Sequence, residues 1–412
     1  LTGCFLIPTV AVSDCVCDMG QICNADKVCQ NGVDDPPPTP QDAACIYNHD
    51  CDGSVCEYDS ANIMANRCLS MDMLVFVGDP SNCNNVTADG TRQNPYCTIN
   101  KAIDVVTTSG SGQAIRLLAD VNYGSIDSSK FTGKSLTIYG PYEPEPGVNP
   151  LSRPLNLIGT TTPAVSVRGD KTALILDGLS ISTNDVLAEG AIFCENFGKI
   201  VIHRSLVIGA KAWGLSSKNS CSYVGIDRVQ FYRNYGAVSL ANTAEFSVSN
   251  SIFSFSDRRM DPVSAIMVNS SVGMFNHVTV YQNPSSVAGA FIALNLNNNS
   301  VRIISSIVAN NSLAGYNNSQ FDPVPPTGSP FYLQDVTLGD LAQAVPMGVG
   351  VRKLSPAFVN HTSFDFRLSA DASKIDQNRA CCIEQANRQL SVSIDLFGQA
   401  RKEKTELGAI GR

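Results

Sequence analysis

From about residue 170 the apolar positions follow two periods at once: alternation within short segments, and a return every two dozen residues or so. Six segments align without gaps: 175–181 (ILDGLSI), 202–208 (IHRSLVI), 225–231 (GIDRVQF), 248–254 (VSNSIFS), 274–280 (MFNHVTV) and 303–309 (IISSIVA). Their fifth position reads Leu179, Leu206, Val229, Ile252, Val278, Ile307, in steps of 27, 23, 23, 26 and 29 residues. A second apolar column, Ile192, Leu215, Val238, Ile266 and Phe291, steps by 23, 23, 28 and 25. Each repeat therefore predicts two or three short strands separated by Gly, Asn and Ser. A unit this short cannot bury its own apolar face. Stacking the units does so, and joins them by ladder hydrogen bonds. The third position is polar throughout (Asp177, Arg204, Asp227, Asn250, Asn276, Ser305), which suits a tight left-handed turn. Propeller blades of about 40–45 residues do not fit these steps, and the leucine-rich consensus is absent.

Upstream, 74–77 (LVFV) and 114–118 (AIRLL) read as strands. Between them Ile99, Ala102, Ile103 and Val106 form a helical stripe behind Thr98, a suitable N-cap. Asp34-Asp35-Pro36-Pro37-Pro38-Thr39-Pro40 is a semi-rigid extended spacer. The predicted organisation is a tether (1–12), a first cysteine module (13–31), a Pro-rich linker (32–42), a second cysteine module (43–70) and a solenoid (73–412).

The 15 cysteines set the compartment. With Cys4 set aside they fall into even groups: 15, 17, 23 and 29; 45, 51, 56 and 68; then the pairs Cys83 with Cys97, Cys194 with Cys221, and Cys381 with Cys382. Even groups in short Gly/Asp/Asn-rich segments read as disulfide staples in an oxidising compartment. Zinc is the alternative for four thiolates, but the spacings are irregular and no C-x2-C pair occurs. Cys83 and Cys97 would close a loop. Cys194 and Cys221, about one coil apart, would link adjacent coils. Cys381 and Cys382 either bridge each other or join an outer loop. Neither module is large enough for a core, so cross-links must replace one. Composition narrows the function further. With 29 Lys plus Arg against 37 Asp plus Glu, the net charge is −8 and the pI about 5.0, without the basic face that nucleic acid requires. No run of about 18 apolar residues offers a membrane-spanning helix.

Leu1-Thr2-Gly3-Cys4 resembles a bacterial lipobox, in which the Cys is lipidated. That resemblance implies an outer-membrane or cell-surface lipoprotein, held to the membrane by its acyl chains alone and secreted if Cys4 is not modified. The coil pattern, with 75–77 (VFV), 89–91 (DGT), 94–99 (NPYCTI) and the stretches 355–358 (SPAF), 365–368 (DFRL), 395–398 (DLFG) and 407–410 (LGAI), resembles the right-handed parallel β-helix domains of the pectate-lyase-like superfamily. Such domains recur in secreted proteins of myxobacteria-like organisms. The implied fold is all-β, a right-handed parallel solenoid over roughly 73–412 with a helix capping its first open end.

Two sets of residues are candidates for function. Asp177, Arg204 and Asp227 would be neighbours in coils about 4.8 Å apart. Relatives use clustered carboxylates to bind Ca²⁺ or as acid and base in polysaccharide cleavage. A solvated ladder of charges explains the same column without catalysis, and the hydrolase and lyase motifs of the superfamily are not found here. The second set is aromatic. Alternation places Tyr232, Phe255 and Tyr281 outward on three consecutive coils, with Trp213 and Tyr235 nearby, a ladder suited to stacking on sugar rings unless loops cover it. His203 and His277 lack metal-spaced partners. The expected function is non-catalytic binding or adhesion at the cell surface, with polysaccharide as the ligand and no cofactor. The alternatives are a polysaccharide lyase or hydrolase, and a structural envelope protein.

Overall fold

A computed structural model describes residues 67–83, 87–109, 114–144, 150–160, 163–184, 189–254, 265–281, 300–309 and 331–339 nearly throughout, with shorter pieces between Cys45 and Glu57 and between 348 and 410. Two short strands near the N-terminus, Gln21–Cys23 and Cys29–Asn31, pair antiparallel. Cys4, Phe255, Phe291 and Cys381 lie outside the described residues.

The chain is an all-β parallel solenoid of about six turns with about 9% helix. Its strands fall into three sheets of eleven, seven and eight strands, each joining coil to coil in sequence order. The predicted column Ile192, Leu215, Val238, Ile266 is a true ladder, with Val165 below Ile192. One apolar core runs inside the coils from Val75 to Leu338. The helix α1 (Ile99–Ser109) connects the first two strands of the eleven-stranded sheet, Leu74–Val77 and Ala114–Leu117, and buries Ile99, Ala102, Ile103 and Val106 against that core. Thr98 caps it: its Oγ1 accepts from the Lys101 amide at 3.3 Å.

The turn between the eleven- and eight-stranded sheets corrects the gap-free alignment. Asp177, His203, Asp227, Ser249, Asn276, Ile304 and Gln334 stack in register. The next residue of each coil, Gly178, Arg204, Arg228, Asn250, His277, Ser305 and Asp335, has positive φ, from 41° to 69°. The aligned polar column thus mixes two ladder positions, and the apolar column does too, because alternate coils slip by one residue. The cause is the residue after the turn: Leu179, Ser205, Val229, Ser251, Val278, Ser306, Val336. The aliphatic members point into the core. Each serine hydroxyl instead accepts the amide of the coil below: Leu179 N to Ser205 Oγ (3.1 Å), Val229 N to Ser251 Oγ (3.1 Å), Val278 N to Ser306 Oγ (3.2 Å). A buried donor is satisfied on every second coil.

The slip turns Leu206, Ile252 and Ile307 outward, into a second core formed with the C-terminal segment. Phe358, Phe366, Leu368, Leu396, Phe397 and Ile410 cover the outer face of the eight-stranded sheet. Gly408 is the tightest point of that cover: its φ is +88°, and a Cβ there would lie 2.7 Å from Thr279 Oγ1. Asn250 and Asn276 are not ladder partners, since Ser249 stands opposite Asn276, but asparagines do stack elsewhere. Asn283 donates Nδ2 to Phe253 O (2.8 Å) on the neighbouring coil and to Tyr281 O (3.2 Å) on its own, while Asn311 Oδ1 accepts its amide (3.0 Å).

Among the described residues, the bridges Cys45–Cys56, Cys51–Cys68, Cys83–Cys97 and Cys194–Cys221 close within their groups, the last joining neighbouring coils. Cys45, Cys51 and Cys68 cluster closely, but their sulfurs are bonded in pairs and not offered as thiolates to zinc. Cys382 is also disulfide-bonded.

Phe231 and Phe253 stack inside the coils with centroids 5.0 Å apart, both fully buried. Phe253→Ala should lower unfolding free energy by about 3–5 kcal/mol in urea melts, the cost of a core cavity that neighbouring coils cannot collapse into.

Candidate functional site

The charged column forms on the outer edge of the eleven-stranded sheet, where each coil turns. Arg204 occupies the left-handed turn position, with φ of 41°. This conformation aims its guanidinium back along the column at Asp177 on the coil below. Nε donates to Asp177 Oδ1 at 2.7 Å, and Nη2 donates to Oδ2. The same Nη2 donates to the carbonyl of Cys56, in the second cysteine module, at 3.0 Å. Arg204 is 1% exposed and Asp177 2%. Burial pushes the Asp177 carboxyl up, but the Arg204 charge and its hydrogen bonds outweigh that and hold the group below the ordinary carboxylate range.

Asp227, two coils above Asp177, is engaged by other partners. It accepts from Ser249 Oγ at 2.6 Å, Asn250 Nδ2 at 3.0 Å and Arg228 Nε at 3.3 Å. Asp177 and Asp227 therefore do not converge on one space, and His203 lies between them in the ladder. Neither solvation nor a shared catalytic cleft describes these three residues. Both oxygens of Asp177 face one guanidinium, so the set does not fit a Ca²⁺ site, which needs several free oxygens. What the column does chemically is neutralise two buried arginines.

Further up, His277 takes the turn position, fully buried, with Nδ1 2.9 Å from Asn276 Oδ1. Burial pushes its pKa well below the ordinary value, and the Arg401 charge adds to this. Arg401, from the C-terminal cover, donates to Asn250 Oδ1 (3.2 Å) and to the carbonyls of Gly408 (2.9 Å) and Ala409 (3.2 Å). Sequence reasoning missed Arg228, Arg401 and the Cys56 carbonyl. Arg228 was within reach as the neighbour of a turn Asp; the other two come from distant segments.

The aromatic set divides. Tyr232 and Tyr281 do point outward from the coils, as alternation predicts, but neither is open to a ligand. Tyr232 is 0% exposed and lies on Phe366, with centroids 6.4 Å apart. Tyr281 is 8% exposed and edge-on to Phe358 at 4.9 Å. The position between them in register is Ser254, not Phe255, so no continuous ladder of rings exists there. The correction has a simple cause: apolar rings standing on an apolar sheet face attract the C-terminal segment.

Trp213 and Tyr235 are placed differently. Both are half-buried, on adjacent coils where strands of the seven-stranded sheet begin. Trp213 pairs in register with Gly190 below and Gly236 above. The indole thus has no side chain at its own ladder position on either neighbouring coil. Tyr235 precedes Gly236, and its amide donates to Ala210 O at 2.8 Å.

Asp177→Asn should lower stability by about 3–5 kcal/mol in urea melts, since it leaves the buried Arg204 charge uncompensated. In the wild type this contribution is complete above the unfolded Asp value of 3.8 and is lost as pH falls through the lower folded value. The acid limb of the variant should accordingly be shallower.

His277 has the same sign by another route. Its neutral form is favoured on folding, so its contribution is complete above 6.5 and declines as pH falls below that. His277→Asn, which keeps a residue tolerant of positive φ, should flatten the loss of stability between about pH 6.5 and 5. Melts with equal pH slopes in both proteins would contradict this.

Compared with known protein families and with curated proteins, the sequence matches no family model and no curated relative.

Proposed function

We propose that this chain is a non-catalytic binding protein of the cell surface, a right-handed solenoid of the pectate-lyase-like type that presents a glycan-contacting corner at Trp213 and Tyr235. The observation that carries this reading is the placement of those two rings: half-exposed, on successive coils, with Gly190 and Gly236 in register on either side of the indole. A half-exposed indole whose ladder neighbours are both glycines suits stacking on the C–H face of a pyranose. The repeat fixes the spacing of the two rings to that of neighbouring coils, so the corner is preorganised.

The engagement of the carboxylates supports binding over cleavage. Glycoside hydrolysis needs two carboxyl groups facing one bond, one to protonate and one to act as base or nucleophile. Asp177 gives both oxygens to Arg204, and Asp227 is held by Ser249, Asn250 and Arg228. In this reading lipidated Cys4 tethers the chain to the outer membrane, and the cysteine modules with the Pro-rich spacer carry the solenoid away from the lipid surface.

A glycan array probed with the wild type and with Trp213→Ala/Tyr235→Ala tests the proposal. Loss of two stacking rings should weaken binding by about tenfold or more, at about 1–1.5 kcal/mol for an aromatic contact. Tyr232→Phe, at the covered face, should bind as the wild type does. Binding that survives intact in the double variant, with circular dichroism unchanged, would sink the assignment.

A further inference from the structure

The second cysteine module is clasped to the solenoid at one place by two kinds of contact, a hydrogen bond and apolar packing. Its short hairpin pairs Cys56 with Cys68 and Glu57 with Arg67. The Cys56 carbonyl accepts from Arg204 Nη2 at 3.0 Å, across 148 residues of sequence. The side chain of Val55, 0% exposed, packs with Leu74, Phe76, Ala114 and Tyr139 on the outer face of the eleven-stranded sheet. Leu69 packs against the same group, and its amide donates to Val55 O at 2.9 Å.

Two-residue strands have no stability of their own in water. This hairpin persists because both its cysteines are bridged, Cys56 to Cys45 and Cys68 to Cys51, in an interleaved pair. The apolar group beneath it is separate from the core inside the coils: Val55, Leu74, Phe76, Ala114 and Tyr139 form one cluster, and the interior column forms another. The hairpin can therefore leave without opening the solenoid.

We propose that the Cys45–Cys56 and Cys51–Cys68 bridges are a redox-controlled clasp. Closed, they hold the hairpin over Tyr139, Phe76 and the Arg204–Asp177 pair. A dithiol reductant opens them by thiol–disulfide exchange. A thiolate attacks one sulfur and displaces the other, and the second thiolate then closes the reductant into a cyclic disulfide. Each protein bridge gains two electrons and two protons and becomes two thiols. The Cys51–Cys68 bridge reacts first, because Cys68, at 7%, is the most exposed of the four. Once both are open, the hairpin loses its fixed shape, the Cys56 carbonyl leaves Arg204, and an apolar patch beside a charged pair is uncovered. The solenoid remains folded.

Hydroxyl-radical footprinting of the full chain, read by peptide mass spectrometry, tests this. Tyr139 and Phe76 are 4% and 2% exposed with the clasp closed, and Phe231 and Phe253, 0% exposed inside the coils, serve as internal controls. After treatment with a dithiol and alkylation of the freed thiols, oxidation of Tyr139 and Phe76 should rise about tenfold while Phe231 and Phe253 stay protected, as in local rather than global opening. Replacing Cys45, Cys51, Cys56 and Cys68 together by Ala should give the same pattern without reductant. Cys194→Ala/Cys221→Ala should leave Tyr139 and Phe76 protected. The proposal is overturned if Tyr139 and Phe76 stay protected once all four cysteines are alkylated. It is equally overturned if Phe231 and Phe253 become reactive along with them. Should the four-alanine chain fail to fold, the reduced wild type decides the matter alone.

Discussion

Parallel pairing between successive coils is the constraint from which the other features follow. A strand of two to seven residues has no partner within its own coil, so its N–H and C=O groups must meet those of the coils before and after it. That requirement sets residues in columns. Once columns exist, each side chain is judged against the one directly above and below it. Aliphatic residues fill the interior, and the residue following the turn alternates between an aliphatic side chain and a serine that bonds to the coil below. The ends of such a stack are sheet edges, which need covering. At the first edge the Phe76 amide donates to Gly90 O and the Phe76 carbonyl accepts from Tyr96 N, so the loop tied by Cys83–Cys97 occupies positions another strand would take.

The same columns explain why the outer faces are so unlike one another. Where outward positions are apolar, as on the eight-stranded sheet, the C-terminal segment is drawn over them and a second core forms. Where outward positions are charged, as at Asp177 and Arg204, burial demands pairing, and a carbonyl from the cysteine module also accepts from Arg204 Nη2. A buried ion pair of this kind gives weak net stability but a strong preference for one arrangement, since breaking it strands a charge. Trp213 and Tyr235, by contrast, keep part of their surface in solvent.

Much of this was legible along the chain. The two-dozen-residue return is a consequence of coil circumference, so it survives any change of side chain that keeps the interior apolar. It located the solenoid and its ladder at Ile192, Leu215, Val238 and Ile266, while a separate helical stripe behind Thr98 located the helix. The cysteines of the second module and the pairs Cys83 with Cys97 and Cys194 with Cys221 bridge within their groups. Tyr232 and Tyr281 were read on the correct side of their strands, because alternation alone decides side, but on the coil between them Ser254 holds the outward position that the alignment gave to Phe255.

Tertiary structure decided the rest. A one-residue slip between coils is invisible in a pattern where Leu and Ser alternate at one column and either register leaves an apolar residue near the core. Whether Tyr232 is open or sealed depends on Phe366, and whether Arg204 is solvated or buried depends on Cys56, each more than a hundred residues away in sequence. Periodicity records what a residue owes to its own coil and the next. It holds no information about a distant segment that folds back across the outside of the stack, and in this protein those returning segments determine which surfaces remain.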